Sequence, residues 1–336
     1  MTDTLAQLST FCIYSAMGIY ALAFVAFALD LARRGARATM PAEVPSAVER
    51  RAEATTAQQA GGGSTTTLTR ISTRVEDEVH RGGETSKSLR VAFALTILGF
   101  VFHLAADILR GVAAGRVPWA NMWEFSMTGT LVIVGVFLLV NLRFDLKYLG
   151  TFVLGLVCIL LMIATVRYYV PVVPLPPALQ SYWLVIHIMV AILGTAFFAL
   201  GFALSALQLL QVRRERQVEE SKPQQFRFLA TMPGSQTLEN LAYRVNIVGF
   251  IFWTFTLIAG AIWAEKAWGR YWGWDTKEVW TFIIWVIYAG YIHARATRGW
   301  RGSRSAWLAI IGFSAVMFNF GVVNVFFHGL HAYSGL

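Results

Sequence analysis

Charge is scarce in this sequence. Asp, Glu, Lys and Arg make up 14% of its 336 residues, against roughly a quarter in a soluble domain. A water-soluble protein of this size is thereby excluded. The little charge present is lopsided: 19 acidic residues face 28 basic ones, a net charge of +9. In a soluble protein that balance would point to nucleic acid. Between apolar segments it marks topology instead, and no nucleic-acid partner is expected. Cysteine is nearly missing too. Cys12 and Cys158 both lie inside apolar runs and no Cys-x-x-Cys occurs, so neither a zinc ribbon nor a thioredoxin-like redox pair is encoded. Both read as small packing residues. No internal repeat appears at solenoid spacing.

Apolar length is what the chain has in abundance. Hydrophobic residues make up 56% of it, and the mean hydropathy is +0.55. Runs long enough to cross ~30 Å of hydrocarbon at ~1.5 Å per residue fall near 11–32, 89–110, 126–142, 148–168, 182–211, 243–264, 281–297 and 305–327. They predict an all-α integral membrane protein of about eight transmembrane helices, surrounded by membrane lipids. The fifth run is long enough to project beyond the membrane. The first is long for a signal-peptide core and is followed by Arg33 and Arg34, so it reads as a retained helix with its N-terminus outside. In that orientation all but six of the 28 Lys and Arg residues lie in or beside inner segments; the six are Arg110, Arg116, Arg167, Lys266, Arg270 and Lys277. Both termini and the stretch between the sixth and seventh runs are then extracytoplasmic. Residues 33–88, with Gly61-Gly62-Gly63-Ser64, hold too little apolar surface for a core and read as a flexible cytoplasmic linker. The expected organisation is a transmembrane helix at 1–32, a linker at 33–88 and a main membrane domain at 89–336.

Tryptophan and histidine carry the chemistry. Residues 263–280 hold five of the chain's twelve tryptophans: Trp263, Trp268, Trp272, Trp274 and Trp280. Indole prefers the membrane–water boundary, so this is an external amphipathic segment, a shelf suited to a large, flat, partly charged ligand. Of six histidines, His80 lies in the linker and is expected to be inert. His103, His187, His293, His328 and His331 lie in or beside the apolar runs. There an imidazole marks either a site or a hydrogen bond between helices. His187 and His331 fall on the same membrane face as the shelf. Two neutral imidazoles can take both axial positions of one haem iron if they approach from opposite sides. Indoles can pack on a porphyrin, and either Arg270 or Lys277 can pair with its propionates. Asp275 and Glu278 either position such a ligand or cap a short helix. Asn121 and Glu124 either bound a cavity or fix a re-entrant turn.

The segment Trp268-Gly269-Arg270-Tyr271-Trp272-Gly273-Trp274-Asp275-Thr276-Lys277-Glu278 resembles the WWD signature of haem-handling proteins of c-type cytochrome biogenesis. Thr276 stands where that signature commonly has proline. Gln180-Ser181-Tyr182-Trp183-Leu184-Val185-Ile186-His187, Val117-Pro118-Trp119-Ala120-Asn121-Met122-Trp123-Glu124 and Gly329-Leu330-His331-Ala332-Tyr333-Ser334-Gly335 are similar to three further segments of the same proteins. The resemblance covers roughly 90–336 and is to the CcsA/ResC type (CcsB in some lineages).

The resemblance implies haem b as the cofactor, held by His187 and His331 as axial ligands, with Trp268, Trp272, Trp274 and Asp275 around it. It implies that His293 contributes an intramembrane imidazole to haem passage, with His103 as a candidate partner; His328 has no counterpart. The implied function is to bind haem and present it extracytoplasmically for thioether attachment to the Cys-x-x-Cys-His motif of apocytochrome c. The chain would be the haem-handling subunit of a two-component (System II) cytochrome c synthase. Its own residues would include no catalytic nucleophile, because the thiols belong to the substrate. A ResB/CcsB-type membrane partner and a thioredoxin-like thiol reductant are expected, in a bacterial plasma membrane or a thylakoid-type membrane. The competing reading is a haem exporter or chaperone that delivers haem to a separate ligase.

Overall fold

The computed structural model describes residues 2–37, 86–172, 179–223, 226–297, 299–327 and 329–331. Every regular element among them is a helix: α1 (Thr2–Arg37), α2 (Lys87–Ala114), α3 (Met122–Asn141), α4 (Gly150–Tyr168), α5 (Tyr182–Glu219), α6 (Ser235–Trp268), α7 (Thr276–Thr297) and α8 (Ser303–Met317). A π-helical turn, Phe318–Val323, and a last α-turn, Asn324–Phe326, continue α8. Most of the expected linker, with His80, lies outside the described residues, as do His328 and residues 332–336.

Polar caps set several helix starts. The side chains of Ser86, Asn121 and Ser181 accept from the amides of Leu89, Glu124 and Trp183, at 3.1, 2.9 and 3.3 Å. At the far end of α6, Gly269 adopts the left-handed φ of +70° that stops the helix and releases the chain into the tryptophan segment.

Among the described residues seven helices are long and apolar enough to cross a membrane: α1 to α6, and α8 with its continuation. α7 has 22 residues, about 33 Å at ~1.5 Å per residue, but Tyr288, Tyr291, His293 and Arg295 dilute its apolar character. α5, with 38 residues, is about 57 Å long on the same count and does project past a bilayer. The burial pattern is that of a membrane protein. Phe11, Leu22, Val112, Val166 and Ile251 are exposed, whereas Thr96, His103, Arg110, Glu124 and Asn246 are buried. Polar groups turn into the bundle because hydrocarbon offers them no partner. This chain is an all-α integral membrane protein.

α5 packs along α6, and α1 along α2; α3 and α8 both lie against α5, and α7 closes on α8 and α6. Each end of the bundle is locked by a buried acid. At the end where α3, α5 and α7 start, the Glu124 carboxylate accepts from Arg110 Nε at 2.9 Å, from Arg116 at 2.7 Å and from the Ala120 amide at 3.0 Å. Arg110 also donates to the Val170 carbonyl at 2.7 Å, which ties α2 and α3 to the segment leaving α4. Glu124 therefore fixes the turn before α3, while Asn121 both caps that helix and lines the cavity described below. At the opposite end Glu239 pairs with Arg295 at 3.3 Å and accepts from the Gly302 amide at 2.9 Å, joining α6, α7 and α8.

Candidate functional site

A cavity of about 420 Å³ opens among α3, α5, α6, the tryptophan segment and the π-turn, well within the ~300–1,000 Å³ usual for cofactor sites. One wall is apolar: Phe125, Ile133, Leu184, Ile188, Leu257 and Val316. The other carries His187, Trp272, Lys277, Asn319, Asn324 and His331.

His187 sits on α5, one turn in from the Ser181 cap. Its Nδ1 lies 3.0 Å from the Thr256 carbonyl of α6. A carbonyl can only accept, so Nδ1 carries the proton and Nε2 keeps a free lone pair. The α6 backbone reaches this ring because position 260 is glycine. A Cβ there would lie 2.7 Å from His187 Cε1. His331 is fixed in the same manner by a different acceptor, its Nδ1 lying 3.0 Å from Asp275 Oδ1. Both imidazoles thus direct Nδ1 to the protein and keep Nε2 available, the arrangement that orients metal-ligating histidines. Trp263, 2% exposed, touches both. Its ring lies nearly parallel to His187 at 5.8 Å between centroids and edge-on to His331 at 5.5 Å.

Asp275 explains why two distant motifs belong together. Its carboxylate accepts from the Lys277 amide at 2.9 Å, the Leu330 amide at 2.8 Å and His331. The hydrogen bond from His331 is the main cause that brings its carboxyl down to about 2. Glu278 reaches back to the amides of Asp275 and Gly273 at 3.0 and 2.8 Å. The two acids therefore form a reciprocal capping box at the start of α7. Thr276 occupies the first helical position, the one that also favours proline. Gly329 lies so close to this carboxylate that a Cβ would come within 2.2 Å of Asp275 Oδ2, so the glycine of Gly-Leu-His is required by the aspartate of Trp-Asp.

The candidate residues divide. His187, His331 and Trp272 line the cavity together. Trp268 stands behind His331, edge-on at 4.8 Å, and Asp275 supports His331 from the same side. Trp274 is 74% exposed with a left-handed φ of +59°, which turns it out of the cavity. Arg270 is exposed, its guanidinium donating to the Gly273 carbonyl at 3.3 Å. His103 is buried between α2 and α1, with its Nδ1 3.3 Å from the Tyr20 hydroxyl, and is not part of the cavity. His293 is exposed on α7, two residues from Arg295 and the opposite end of the bundle. The structure does not bring His103 and His293 to the first pair.

Sequence reasoning missed Asn319 and Asn324. Lys277 Nζ donates to the Asn319 carbonyl at 3.2 Å and to Asn324 Oδ1 at 2.5 Å. Two amides in an otherwise apolar last run were the available signal. The π-turn that presents them is a feature common at functional sites.

The sequence profile of the Cytochrome C assembly protein family matches residues 119–331. The chain belongs to that family. It is 32% identical over 259 residues to the cytochrome c biogenesis protein CcsA of Guillardia theta, a match covering 73% of this chain and 86% of that protein. It is 33% identical over 274 residues to the CcsA of Prochlorococcus marinus strain SARG, covering 75% and 86%. Against the CcsA of Chlamydomonas reinhardtii identity is 35% over 235 residues, covering 67% and 63%. A solved structure, the cytochrome c haem lyase CcmF, superposes with a TM-score of 0.59 at 17% identity, covering 98% of this chain and 50% of that one. That likeness shows a shared fold, with this chain spanning half of the larger protein. All the residues that build the cavity fall within the matched range.

Proposed function

We propose that this chain acts in cytochrome c biogenesis as the haem-handling subunit of a two-component synthase. It binds haem b between His187 and His331 and presents it on the extracytoplasmic face to apocytochrome c. One observation carries the reading: two imidazoles, each with Nδ1 committed to a fixed acceptor, border a single cavity with tryptophan and an apolar wall. The donor set fits an iron porphyrin. Among the described residues no group of three or more His, Cys, Asp or Glu side chains is placed to hold a bare metal ion, whereas a porphyrin supplies four ligands itself and needs two imidazoles.

The chain's own residues position rather than react. Thr256 and Asp275 hold the two imidazoles in the tautomer that leaves Nε2 free to bind iron. Trp263, in contact with both rings, keeps water from the space beside them. Attachment adds each substrate thiol across one haem vinyl group, the sulfur forming a C–S bond and the thiol proton passing to the other vinyl carbon, with no net oxidation. The substrate's own histidine can then replace one imidazole. A thioredoxin-like reductant keeps the thiols reduced, and a ResB/CcsB-type partner supplies the surface on which the cytochrome docks. The positive-inside distribution puts both termini and the tryptophan end outside. His293, exposed on α7, would contribute an imidazole to an intramembrane route for haem.

The test is the absorption spectrum and haem content of the purified protein, in wild type and in His187→Ala, His331→Ala and His293→Ala. Wild type should show low-spin bands of two-imidazole ligation, and each of the first two variants should lose that signature. Equal haem with the same spectrum in all variants would defeat the ligand assignment. A protein that takes up haem but supports no attachment when joined by its partner would favour the exporter reading.

A further inference from the structure

The cavity holds a cation that no carboxylate among the described residues contacts. Lys277 stands in the first turn of α7 and lines the cavity. Its ammonium donates to the Asn319 carbonyl and to Asn324 Oδ1, both neutral. Two carboxylates stand nearby, and neither is in ion-pair contact with Nζ; Glu278 Oε1 is buried with no hydrogen-bond partner of its own. Asp275 holds His331 and two backbone amides, and Glu278 Oε2 holds the amides of Gly273 and Asp275. Among the described residues no acid forms an ion pair with Lys277 Nζ. An ammonium in so apolar a space is costly unless an anion answers it.

We infer that Lys277, steadied by the Asn319 backbone carbonyl and the Asn324 side-chain oxygen, binds a propionate carboxylate of the bound haem and so sets which edge of the porphyrin faces the start of α7. This deepens the haem reading and rests on it. An ammonium has three N–H donors; two are used here and one is left for a ligand oxygen. Asn324 accepts from Lys277 through Oδ1, which leaves its own NH₂ free to donate to the same carboxylate. Lys266 and Arg270, the other basic residues of the tryptophan segment, are exposed and do not line the cavity. The vinyl groups sit on the side of the macrocycle away from the propionates. Anchoring the carboxylates at α7 therefore turns the reactive vinyl edge away from Lys277. The role is positioning: it fixes rotation of the porphyrin about the axis that the two imidazoles leave free.

The experiment compares haem with haem dimethyl ester, which keeps the iron and vinyl groups and lacks the carboxylate charge. Both are titrated into wild type, Lys277→Met and Lys277→Arg by absorbance. Detergent partitioning cancels when the haem-to-ester affinity ratio is compared between variants. Wild type should show a ratio about 10- to 100-fold higher than Lys277→Met, the size of a charge-assisted hydrogen bond. Lys277→Arg should restore most of it. Asn324→Asp, which gives Lys277 a permanent counter-ion, should lower the ratio and guards against a misfolded methionine variant. The same ratio in wild type, Lys277→Met and Asn324→Asp overturns the inference. Two-imidazole bands with both porphyrins in that case leave the haem reading standing; their absence with either porphyrin sinks that reading instead.

Discussion

Two buried charged clusters stand at the same end of this bundle and are built on opposite principles. Around Glu124, two guanidiniums and a backbone amide converge on one carboxylate, and Arg110 spends its remaining reach on the Val170 carbonyl. Around Lys277, the partners are a carbonyl and an amide oxygen, and the side chain lines the cavity. In the first cluster each cation meets a carboxylate of the protein. The second is open. Closed networks hold helices in place; an open one in the same bundle is where a ligand completes the electrostatics.

The largest expected effect tests that contrast directly. Glu124→Gln leaves two guanidiniums facing a neutral amide in a site where Glu124 and Arg110 are 0% and 1% exposed. Breaking a buried pair in this way costs about 3–5 kcal/mol, so detergent-solubilised protein should lose most of its folded fraction or unfold at much lower denaturant. Lys277→Met, in the same assay, should unfold no earlier than wild type, because it removes an unanswered charge. Equal destabilisation by the two substitutions would erase the distinction between closed and open clusters.

A middle-sized effect concerns the support of His331. Asn caps helices as well as Asp, so Asp275→Asn preserves the start of α7 while weakening the bond that orients the imidazole. Haem affinity should fall about 10- to 100-fold, with secondary structure intact by circular dichroism. The acidity of Asp275 gives the sign of its pH dependence. A carboxyl held down near 2 in the fold contributes fully above its unfolded value of about 3.9 and loses that contribution only as pH falls through about 2. Asp275 is therefore ionised throughout pH 5 to 8, and the wild-type advantage over Asp275→Asn should be present in full at pH 8; equal affinities there would mean the carboxylate is not what holds His331.

What could be read in advance follows the range of each interaction. Apolar runs are local, so the helices at 182–211 and 243–264 were legible at their cores, while their polar extensions to Glu219 and back to Ser235 were not. His187, His331 and Trp272 were legible because their motifs place them on one face. The bond that unites two of those motifs joins residues 56 apart, and nothing local in Trp-Asp or Gly-Leu-His states that one needs the other. Trp274 shows a different limit: a left-handed backbone at a non-glycine residue turns an indole outward, and composition counts indoles without their direction. Asn319 and Asn324 were hidden by periodicity. They meet Lys277 because the helix widens to a π-turn between them, which a 3.6-residue pattern does not anticipate.

The smallest effect is the most selective. Thr276 departs from the proline that this signature commonly carries, and the geometry says the departure is nearly neutral. Position 276 is the first helical residue of α7, where an amide has no intrahelical acceptor, so proline's missing N–H costs nothing there. The residue before a proline is steered into extended backbone, which is also what a helix cap such as Asp275 adopts. Thr276→Pro should therefore leave the capping box intact and gain about 0.4–1 kcal/mol by restricting the unfolded chain, read as a small rise in unfolding midpoint with an unchanged haem spectrum. A loss of stability larger than about 1 kcal/mol, or a disturbed spectrum, would show that residues 275–278 are not the capped helix start on which the placement of both His331 and Lys277 depends.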